Sequence, residues 1–471
     1  MTNEISQNRS KSLESKLVWN EKVSKNVEKL LESTETSIDI QNLNATRPDD
    51  TDKFAEDFNN LLNKILVKAE ALKPAHTYTT KKRLNTNPWF DAECNNQKEN
   101  LINLGKLKTR FPDREDIRTS LNSEKKMFRK LLKRKKRKFN EGKFNKLAKL
   151  RSKQPKQFWN ALRSLNSTTT NTDNSTQSDV HKFYDHFKTL NQKDINEMPS
   201  SKHQTPSTAS GHGPLDFAFT INEVRNGIKA LKNGKTPGND LIPNELLKAG
   251  EEVLSETITI LFNSILNSST FPKKWAYGMI IPIHKKGSKS EPENYRGIMI
   301  LPHILKLFTS LLNKRLVDYL DANIALPQEQ VGFRRDYRGS DNLFALKALT
   351  DKYVKARRKR YQNFLYTCFV DFSKAFDNIS RDKLYTKLNN LGVKDKFLKI
   401  IQDMYDNDSA CVKINNNISE PFRCYKGVKQ GCMLSPTLFD IYLSDRFTKH
   451  SQQRQRCPGI KPKTSQLFTV R

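Results

Sequence analysis

The amino-acid sequence predicts an α+β protein, in which a basic helical region precedes a region of mixed helices and strands. In the first region apolar residues recur at helical spacing, as between residues 55 and 72, where Phe58, Leu62 and Ile65 fall on one stripe. In the second region, runs rich in β-branched and aromatic residues, such as residues 275–284 and 364–372, alternate with amphipathic helical segments. The two patterns together favour separate helical and mixed domains.

Composition and charge indicate a polyanionic partner. The 471 residues include 83 Lys and Arg against 51 Asp and Glu, so the formal net charge is +32. Clustered positive charge of this size is typical of proteins that bind nucleic acid, because each neutralised phosphate releases condensed counterions. The alternative is a protein that its charge merely keeps in solution.

The six cysteines and the absence of long apolar runs limit the class further. The cysteines form no Cys-x-x-Cys pair and no Cys/His run with zinc-site spacing, so we expect no zinc site and reduced thiols. The first residues are polar, and no run approaches the ~18 apolar residues of a membrane span. We therefore expect no membrane contact and an intracellular location, in the nucleus, the cytoplasm or both.

A basic helix is predicted over residues 123–153. Its most basic part is a hexamer, and apolar residues interleave the charges so that one face can pack while another meets phosphates. Such a run can also be a solvated face or a nuclear localisation signal. The hexamer consists of Lys133, Arg134, Lys135, Lys136, Arg137 and Lys138.

Composition divides the chain into four segments. Residues 1–165 are helical and basic, and residues 166–213 form a flexible linker of low complexity with one short helix at 180–190. Residues 214–445 are the main domain, and residues 446–471 are a basic tail without clear periodicity, which we expect to be disordered. A weaker alternative makes residues 1–165 a helical protein-interaction module.

The main domain is predicted to contain helices, two strands, at 275–284 and 364–372, and a hairpin. A capping box, Thr220 with Glu223, opens the first helix, and Gly392 ends a later one in a left-handed conformation. Pro282 indicates an edge position for the strand at 275–284. The remaining expected elements are helices at 303–320, 340–355, 381–391, 396–405 and 434–443, and a hairpin of 410–414 with 422–425.

One acidic residue lies at the end of an apolar run. Residues 364–372 read as a buried strand that carries Asp371, and Asp377 follows in a polar turn. A carboxylate there is costly unless a cation meets it, and a divalent metal is the usual solution. The alternative for Asp371 is a turn or helix-cap carboxylate, and for Asp377 we expect capping or salt bridging.

Five segments, in order, resemble the reverse transcriptases of non-LTR (LINE-type) retrotransposons. They are TPGNDLIPNELL (236–247), IPIHKKGSKSEPENYRGI (281–298), QVGFRRDYRGSDN (330–342), FVDFSKAFD (369–377) and GVKQGCMLSPTLFDIYL (427–443). Residues 87–94, NPWFDAEC, are also similar to the region that joins endonuclease to polymerase in such proteins. The resemblance identifies the main domain as a member of this family.

The resemblance implies roles for the residues around Asp371. It assigns Asp371 as a metal ligand with help from the Phe372 carbonyl, and Phe376 as an aromatic gate that excludes a 2′-hydroxyl, although Phe376 can also be plain core. Gln430 and Gly431 match the loop that supports the incoming base. The other implied contacts are Arg296, Lys285 and Lys286 for the triphosphate, the two lysines equally well being a solvated turn, and Gly332, Phe333 and Arg334 for the template or for structure alone.

The implied fold is a partial right-hand polymerase, with fingers and an incomplete palm but no thumb. The implied cofactor is Mg²⁺ or Mn²⁺, and the implied partners are an RNA template, a DNA primer or target and deoxynucleoside triphosphates. Two features depart from the family: Gly297 replaces a usual proline, and no aromatic-Ala-Asp-Asp segment follows Gln430. We therefore expect a reverse transcriptase domain that is inactive alone; the alternative function is a non-catalytic nucleic-acid-binding remnant.

Overall fold

The described chain forms two units. The computed structural model describes residues 15–45, 50–74, 87–153, 157–159, 161–162, 177–192, 213, 215–323, 325–327, 330–352, 367, 369–415 and 417–453. One unit contains Met1–Ala75 and Ser175–Arg471, and the other contains His76–Asn174. Most of the expected linker, residues 166–176 and 193–212, and the tail from residue 454 lie outside the described residues.

The described residues are mostly helical, with a small mixed sheet. The helices are α1 (Glu21–Leu31), α2 (Thr34–Ala45), α3 (Thr51–Lys68), α4 (Ala92–Arg110), α5 (Glu115–Lys153), α6 (Gln177–Leu190), α7 (Ile221–Ala230), α8 (Asn244–Ala249), α9 (Glu251–Ser268), α10 (Lys273–Ala276), α11 (His303–Ala322), α12 (Gly339–Thr350), α13 (Arg381–Asn390), α14 (Asp395–Asp406) and α15 (Ser435–Gln453). The strands are β1 (Ser15–Leu17), β2 (Leu72–Pro74), β3 (Tyr277–His284), β4 (Tyr295–Ile300), β5 (Ser409–Ile414), β6 (Asn417–Ile418) and β7 (Phe422–Arg423).

Strand β3 lies at the centre of the main sheet. It pairs antiparallel with β4 over Met279–His284 and parallel with β5 over Tyr277–Ile280. Pro282 therefore falls beyond the β5 pairing, where a missing backbone donor costs nothing. The edge position expected for this strand is wrong for its first half, because β5 covers that half.

The predicted hairpin and the two predicted helix ends are confirmed. Strand β5 pairs antiparallel with β7, with Ala410 opposite Phe422. The Thr220 hydroxyl and the Glu223 carboxylate form the reciprocal capping box of α7. Gly392 follows α13 with a φ of 84°, the left-handed conformation that glycine adopts without steric cost.

The core of the first unit joins the start of the chain to its second half. Thr51, the first residue of α3, lies within hydrogen-bond distance of Ser264 and Ser268 on α9, and Asp52 accepts a hydrogen bond of 2.7 Å from the backbone N–H of Lys273. Aromatic rings fill the centre, with those of Phe262 and Phe308 4.9 Å apart. Residues 15–74 thus pack with the second half of the chain, whereas the sequence grouped them with residues 87–153.

Helix α6 packs against the sheet and explains Gly297. The ring of Phe183 meets Tyr295 edge-on at 4.8 Å, and a Cβ atom at position 297 would lie 2.7 Å from the Phe187 ring and 3.0 Å from Ile280. A side chain at 297 would therefore push α6 away from β4. The glycine that replaces the family's proline makes room for this helix.

The second unit is built on the helices α4 and α5. The Asp91 carboxylate caps α4 by accepting a hydrogen bond from the backbone N–H of Cys94, and it also pairs with Lys135 of α5 at 2.6 Å. The Lys135 hydrogen bond is the main reason that the pKa of Asp91 falls to about 2. The predicted basic helix is thus confirmed, and it begins earlier than expected, at Glu115.

The strand expected at 364–372 is absent from the part of this range that the structure describes. Residues 364–366 and 368 lie outside the described residues, and residues 367 and 369–372 have no strand structure. Phe369 and Val370 are 82% and 71% exposed, because no other strand of the described chain pairs with them. In the described parts of the chain, no helix is both long and apolar enough to cross a membrane.

Candidate functional site

A five-residue loop, Gly427–Gly431, is the centre of the candidate site. It follows β7 and precedes α15, and two glycines with positive φ, 78° at Gly427 and 137° at Gly431, shape it. The backbone N–H of Val428 donates to the Phe376 carbonyl at 2.9 Å, and that of Met299 donates to the Gln430 carbonyl at 2.8 Å. The loop is thereby held between β4 and the segment that follows Asp371.

Close backbone approach explains why both ends of the loop are glycine. A Cβ atom on Gly427 would lie 2.8 Å from the Phe376 carbonyl oxygen, and one on Gly431 would overlap the Met299 carbonyl oxygen. A side chain at either position would separate the loop from its neighbours.

Three polar side chains form a hydrogen-bonded row along the loop. The Arg296 guanidinium on β4 donates from Nε to Gln430 Oε1 at 3.2 Å, and Gln430 Nε2 donates to Asp377 Oδ1 at 2.9 Å. Burial raises the pKa of the Asp377 carboxyl, although the Gln430 hydrogen bond and the charges of Lys374, Arg296 and Lys426 oppose that rise. Asp377 was expected to cap a helix or form a salt bridge; here it accepts a hydrogen bond from an amide.

A buried cluster of charges supports the loop from the other side. Asp408 pairs with Arg381 at 2.8 Å and with Lys429 at 3.1 Å, and the three side chains are 2%, 8% and 0% exposed. Arg381 also donates to the carbonyls of four residues, and Lys429 donates to the Ala276 carbonyl at 2.9 Å. The four carbonyls belong to Tyr405, Cys424, Lys426 and Gly427.

Sequence reasoning missed this charge cluster entirely. Lysine and arginine are almost never fully buried unless they are paired. The positions of Arg381, Asp408 and Lys429 in the sequence, however, do not predict that these three residues contact one another. A cavity of about 30 Å³ lies beside the cluster and is also lined by Asp377 and Gln430. A cavity of this size with polar walls can hold an ordered water molecule.

The expected aromatic gate, Phe376, is held by two other rings. Its ring stacks on Phe439 of α15 at 5.0 Å with an interplanar angle of 11°, and Phe333 meets it edge-on at 6.2 Å. Phe333 is 49% exposed and has a φ of 55°. Phe376 is therefore partly packed, and the expected template-side residue Phe333 reaches it.

Arg334 interacts mainly with its own segment. Its guanidinium donates to the Pro327 carbonyl at 3.0 Å and lies 4.7 Å from the centre of the Tyr337 ring, and Asp321 is 3.7 Å away. These contacts fit the structural alternative for Gly332, Phe333 and Arg334. The role of the three residues on the template side stays a prediction.

The expected triphosphate lysines lie in the exposed turn between β3 and β4. The backbone N–H of Lys285 donates to the Asn294 carbonyl at 2.9 Å, which closes the turn, and Gly287 in the same turn has a φ of 81°. Both Lys285 and Lys286 are exposed. The turn and Arg296 belong to the same β3–β4 hairpin.

The expected metal ligand is exposed. Asp371 and the neighbouring Phe372 lie in irregular chain, with Phe372 38% exposed. Within the described residues, no group of three or more His, Cys, Asp or Glu side chains could hold a metal ion. The described residues thus do not gather three such side chains around Asp371.

In the second unit, acidic side chains engage half of the basic hexamer. Lys135 pairs with Asp91 at 2.6 Å and also with Glu93, while Arg134 pairs with Glu93 at 3.1 Å and Arg137 with Glu141 at 2.8 Å. Lys133, Lys136 and Lys138 are exposed. Contact of the hexamer with nucleic acid stays a prediction.

Comparisons with known proteins give the family of the main domain. Residues 283–462 match the family model described as "Reverse transcriptase (RNA-dependent DNA polymerase)". The chain is 31% identical over 239 residues to the "Probable RNA-directed DNA polymerase from transposon BS" of Drosophila melanogaster, an alignment that covers 49% of this chain and 26% of that protein.

Two further relatives give the same result. The chain is 30% identical over 234 residues to the "RNA-directed DNA polymerase from mobile element jockey" of the same fly, covering 48% of this chain and 24% of the relative. It is 32% identical over 225 residues to the "Probable RNA-directed DNA polymerase from transposon X-element", with 47% and 24% covered. The matched part spans about a quarter of each relative. The chain therefore contains a reverse transcriptase domain related to the polymerases of non-LTR retrotransposons.

Proposed function

We propose that this chain carries the nucleotide-binding part of the RNA-directed DNA polymerase of a non-LTR retrotransposon. The observation that supports this most is the Gly427–Gly431 loop, in which a hydrogen-bonded row joins Arg296, Gln430 and Asp377 beside the Phe376 ring. These are the residue types that selection of a deoxynucleoside triphosphate needs: a guanidinium for phosphate, an amide and glycine for the base, and a ring against the sugar.

The groups that would contact a nucleotide are accessible to solvent. Arg296 and Gly431 are exposed, and Gln430 is partly exposed, so a nucleotide could reach them without rearrangement of the sheet. The lysines of the β3–β4 turn would add positive charge for the triphosphate, and Phe333 would meet the template near the gate. An RNA template and a DNA primer or target are the partners that the family implies.

The metal requirement is met only in part. Family membership implies Mg²⁺ or Mn²⁺, which in nucleotidyl transfer activates the primer hydroxyl and neutralises charge on the leaving pyrophosphate. Asp371 and the Phe372 carbonyl would be its ligands here, but among the described residues no group of three or more His, Cys, Asp or Glu side chains could hold a metal ion. We therefore propose that the chain, as given, does not catalyse polymerisation.

Primer extension on an RNA template tests this proposal. Wild-type chain and Asp371→Ala are compared with Mg²⁺ and with Mn²⁺, and a matched assay measures retention of a labelled deoxynucleoside triphosphate. We expect nucleotide binding without extension. Extension that disappears in Asp371→Ala would contradict the proposed inactivity, and absence of nucleotide binding would contradict the proposed site.

A second candidate function is non-catalytic binding of nucleic acid. The observation that favours it is the net charge of +32, together with the exposed lysines of α5. If α5 neutralises phosphates, RNA affinity must fall steeply as salt rises. Filter binding over a salt series measures the slope of log affinity against log salt concentration, and a slope near zero excludes phosphate contact. The triple variant Lys133→Glu/Lys136→Glu/Lys138→Glu is expected to reduce this slope.

A further inference from the structure

We propose that Asp377 is a positioning residue that fixes the orientation of the Gln430 side chain for the incoming nucleotide. This inference rests on the proposed function, because it names a residue that acts through the nucleotide-binding loop. Asp377 lies six positions beyond Asp371 in the sequence, and neither the metal site nor the gate uses it. Its contact with Gln430 spans 53 residues of chain.

The chemistry of the two ends of the amide supports this assignment. A primary amide has a donor end and an acceptor end that differ little in shape, so an isolated glutamine can turn either way. Here Arg296 can only donate and meets Oε1 at 3.2 Å, while the oxygen of Asp377 accepts from Nε2 at 2.9 Å. A donor on one side and an acceptor on the other allow only one orientation of the amide.

The surroundings of Asp377 make its position rigid. The Phe376 carbonyl accepts from Val428, and the Gly427 N–H donates to the Ile379 carbonyl at 2.8 Å, so the backbone on both sides of Asp377 is tied to the loop that carries Gln430. Asp377 is also partly buried, which limits the access of bulk water to its carboxylate. The orientation of Gln430 is therefore set before any ligand arrives, which reduces the ordering cost of binding.

Equilibrium dialysis of labelled dATP with Mg²⁺ and an RNA–DNA template–primer tests the role on the full chain. Asp377→Leu removes the acceptor, keeps the branched shape with a larger volume, and is expected to weaken dATP affinity about three- to tenfold, the effect of one lost hydrogen bond. Asp377→Asn keeps a side-chain oxygen that can accept from Nε2 and is expected to retain affinity. Asp318→Asn, on an exposed position of α11, is the matched control.

A double-variant comparison separates positioning from a structural role. Gln430→Ala combined with Asp377→Leu should bind dATP no more weakly than Gln430→Ala alone, because Asp377 acts only through Gln430. Additive losses would overturn the inference, as would wild-type affinity in Asp377→Leu or an equal loss in Asp377→Asn. A purely structural residue would instead give additive losses that follow the unfolding midpoint.

Failure of the proposed function has a different signature. If the wild-type chain binds no dATP, the nucleotide site itself is refuted. Urea unfolding without nucleotide then tests the contact on the wild type, Asp377→Leu, Gln430→Ala and the double variant. If the unfolding midpoint of the double variant changes by less than the sum of the two single changes, the fixed orientation of Gln430 is supported. An additive change overturns it.

Discussion

The Gly427–Gly431 loop and the Phe369–Phe372 segment are the two parts of the site that the sequence linked most closely to catalysis, and their surroundings differ sharply. The loop has backbone hydrogen bonds to two other segments, and Lys429 within it is fully buried. In the segment, Val370 is 71% exposed, and Asp371 is exposed as well. The loop is fixed by contacts with other segments of the chain, whereas the residues of the Phe369–Phe372 segment are exposed to solvent.

The difference lies in how each part handles its charge. Beneath the loop, Asp408 pairs with both Arg381 and Lys429, so each of three groups that would be costly to bury alone has a partner of opposite charge, and the two cations also donate to backbone carbonyls. The Asp371 side chain is exposed to solvent, so it needs no ionic partner. The Gly427–Gly431 loop is thus held in shape by contacts within the chain, whereas the four residues of the Phe369–Phe372 segment are exposed.

The largest test of this comparison removes the central cation. Arg381→Met keeps an unbranched apolar stem but removes one of the two cations that pair with Asp408 and leaves four carbonyls without their donor, so we expect a loss of about 3–5 kcal/mol in the free energy of unfolding. Asp371→Ala should change it by no more than about 0.5 kcal/mol, because the residue is exposed. Urea unfolding followed by circular dichroism measures both.

An exposed arginine provides the control for that experiment. Arg335→Met makes the same chemical change at an exposed position, and we expect an effect within about 0.5 kcal/mol. If Arg381→Met unfolds no more easily than Arg335→Met, the cluster does not anchor the loop. If Asp371→Ala is strongly destabilising, the exposed segment is held more firmly than its contacts indicate.

Much of the fold could be predicted because its signals are local. The capping box at Thr220, the left-handed glycine at 392 and the β5–β7 hairpin each depend on residues close in sequence. One expectation that failed was the strand at 364–372, whose residues Phe369–Phe372 have no strand structure. Its composition suits a strand, but a strand also needs a neighbour to pair with, and composition cannot supply one.

The site was predictable only where the family motifs name a residue. Arg296, Phe376, Gln430 and Gly431 were predicted this way; the structure brings their segments together, and their roles stay predictions. The pairing of Asp377 with Gln430 and the cluster of Arg381, Asp408 and Lys429 were not found, because partners 21 to 53 residues apart leave no periodic pattern. The packing of Phe187 on Gly297 was hidden for the same reason.

A second test compares a buried with an exposed carboxylate. Asp440 on α15 is 2% exposed, and burial raises its pKa to about 7. The native state then holds a proton that the unfolded chain has released by about pH 5, so this residue makes stability fall as pH rises from about 4 to 7, by at most about 4 kcal/mol.

Asp440→Asn should remove that part of the pH dependence. Urea unfolding at a series of pH values measures it, and the variant is expected to lose less stability than the wild type between pH 5 and 8. Asp371→Asn, which replaces an exposed carboxylate, should keep the wild-type profile. An unchanged profile for Asp440→Asn would mean that the carboxylate is charged in the native state and that burial is offset by partners.

The smallest test probes the loop with a single carbon atom. Gly431 has a φ of 137°, and an added Cβ would overlap the Met299 carbonyl oxygen, so Gly431→Ala is expected to cost about 1–3 kcal/mol. Gly339, at the start of α12, has nothing within 4 Å of such an atom, and Gly339→Ala should stabilise by about 0.4–1 kcal/mol. Stability changes of opposite sign in urea unfolding would support tight packing at the loop. A neutral Gly431→Ala would show that the loop can move away from β4, and the Gly427–Gly431 loop would then be no better held than the Phe369–Phe372 segment.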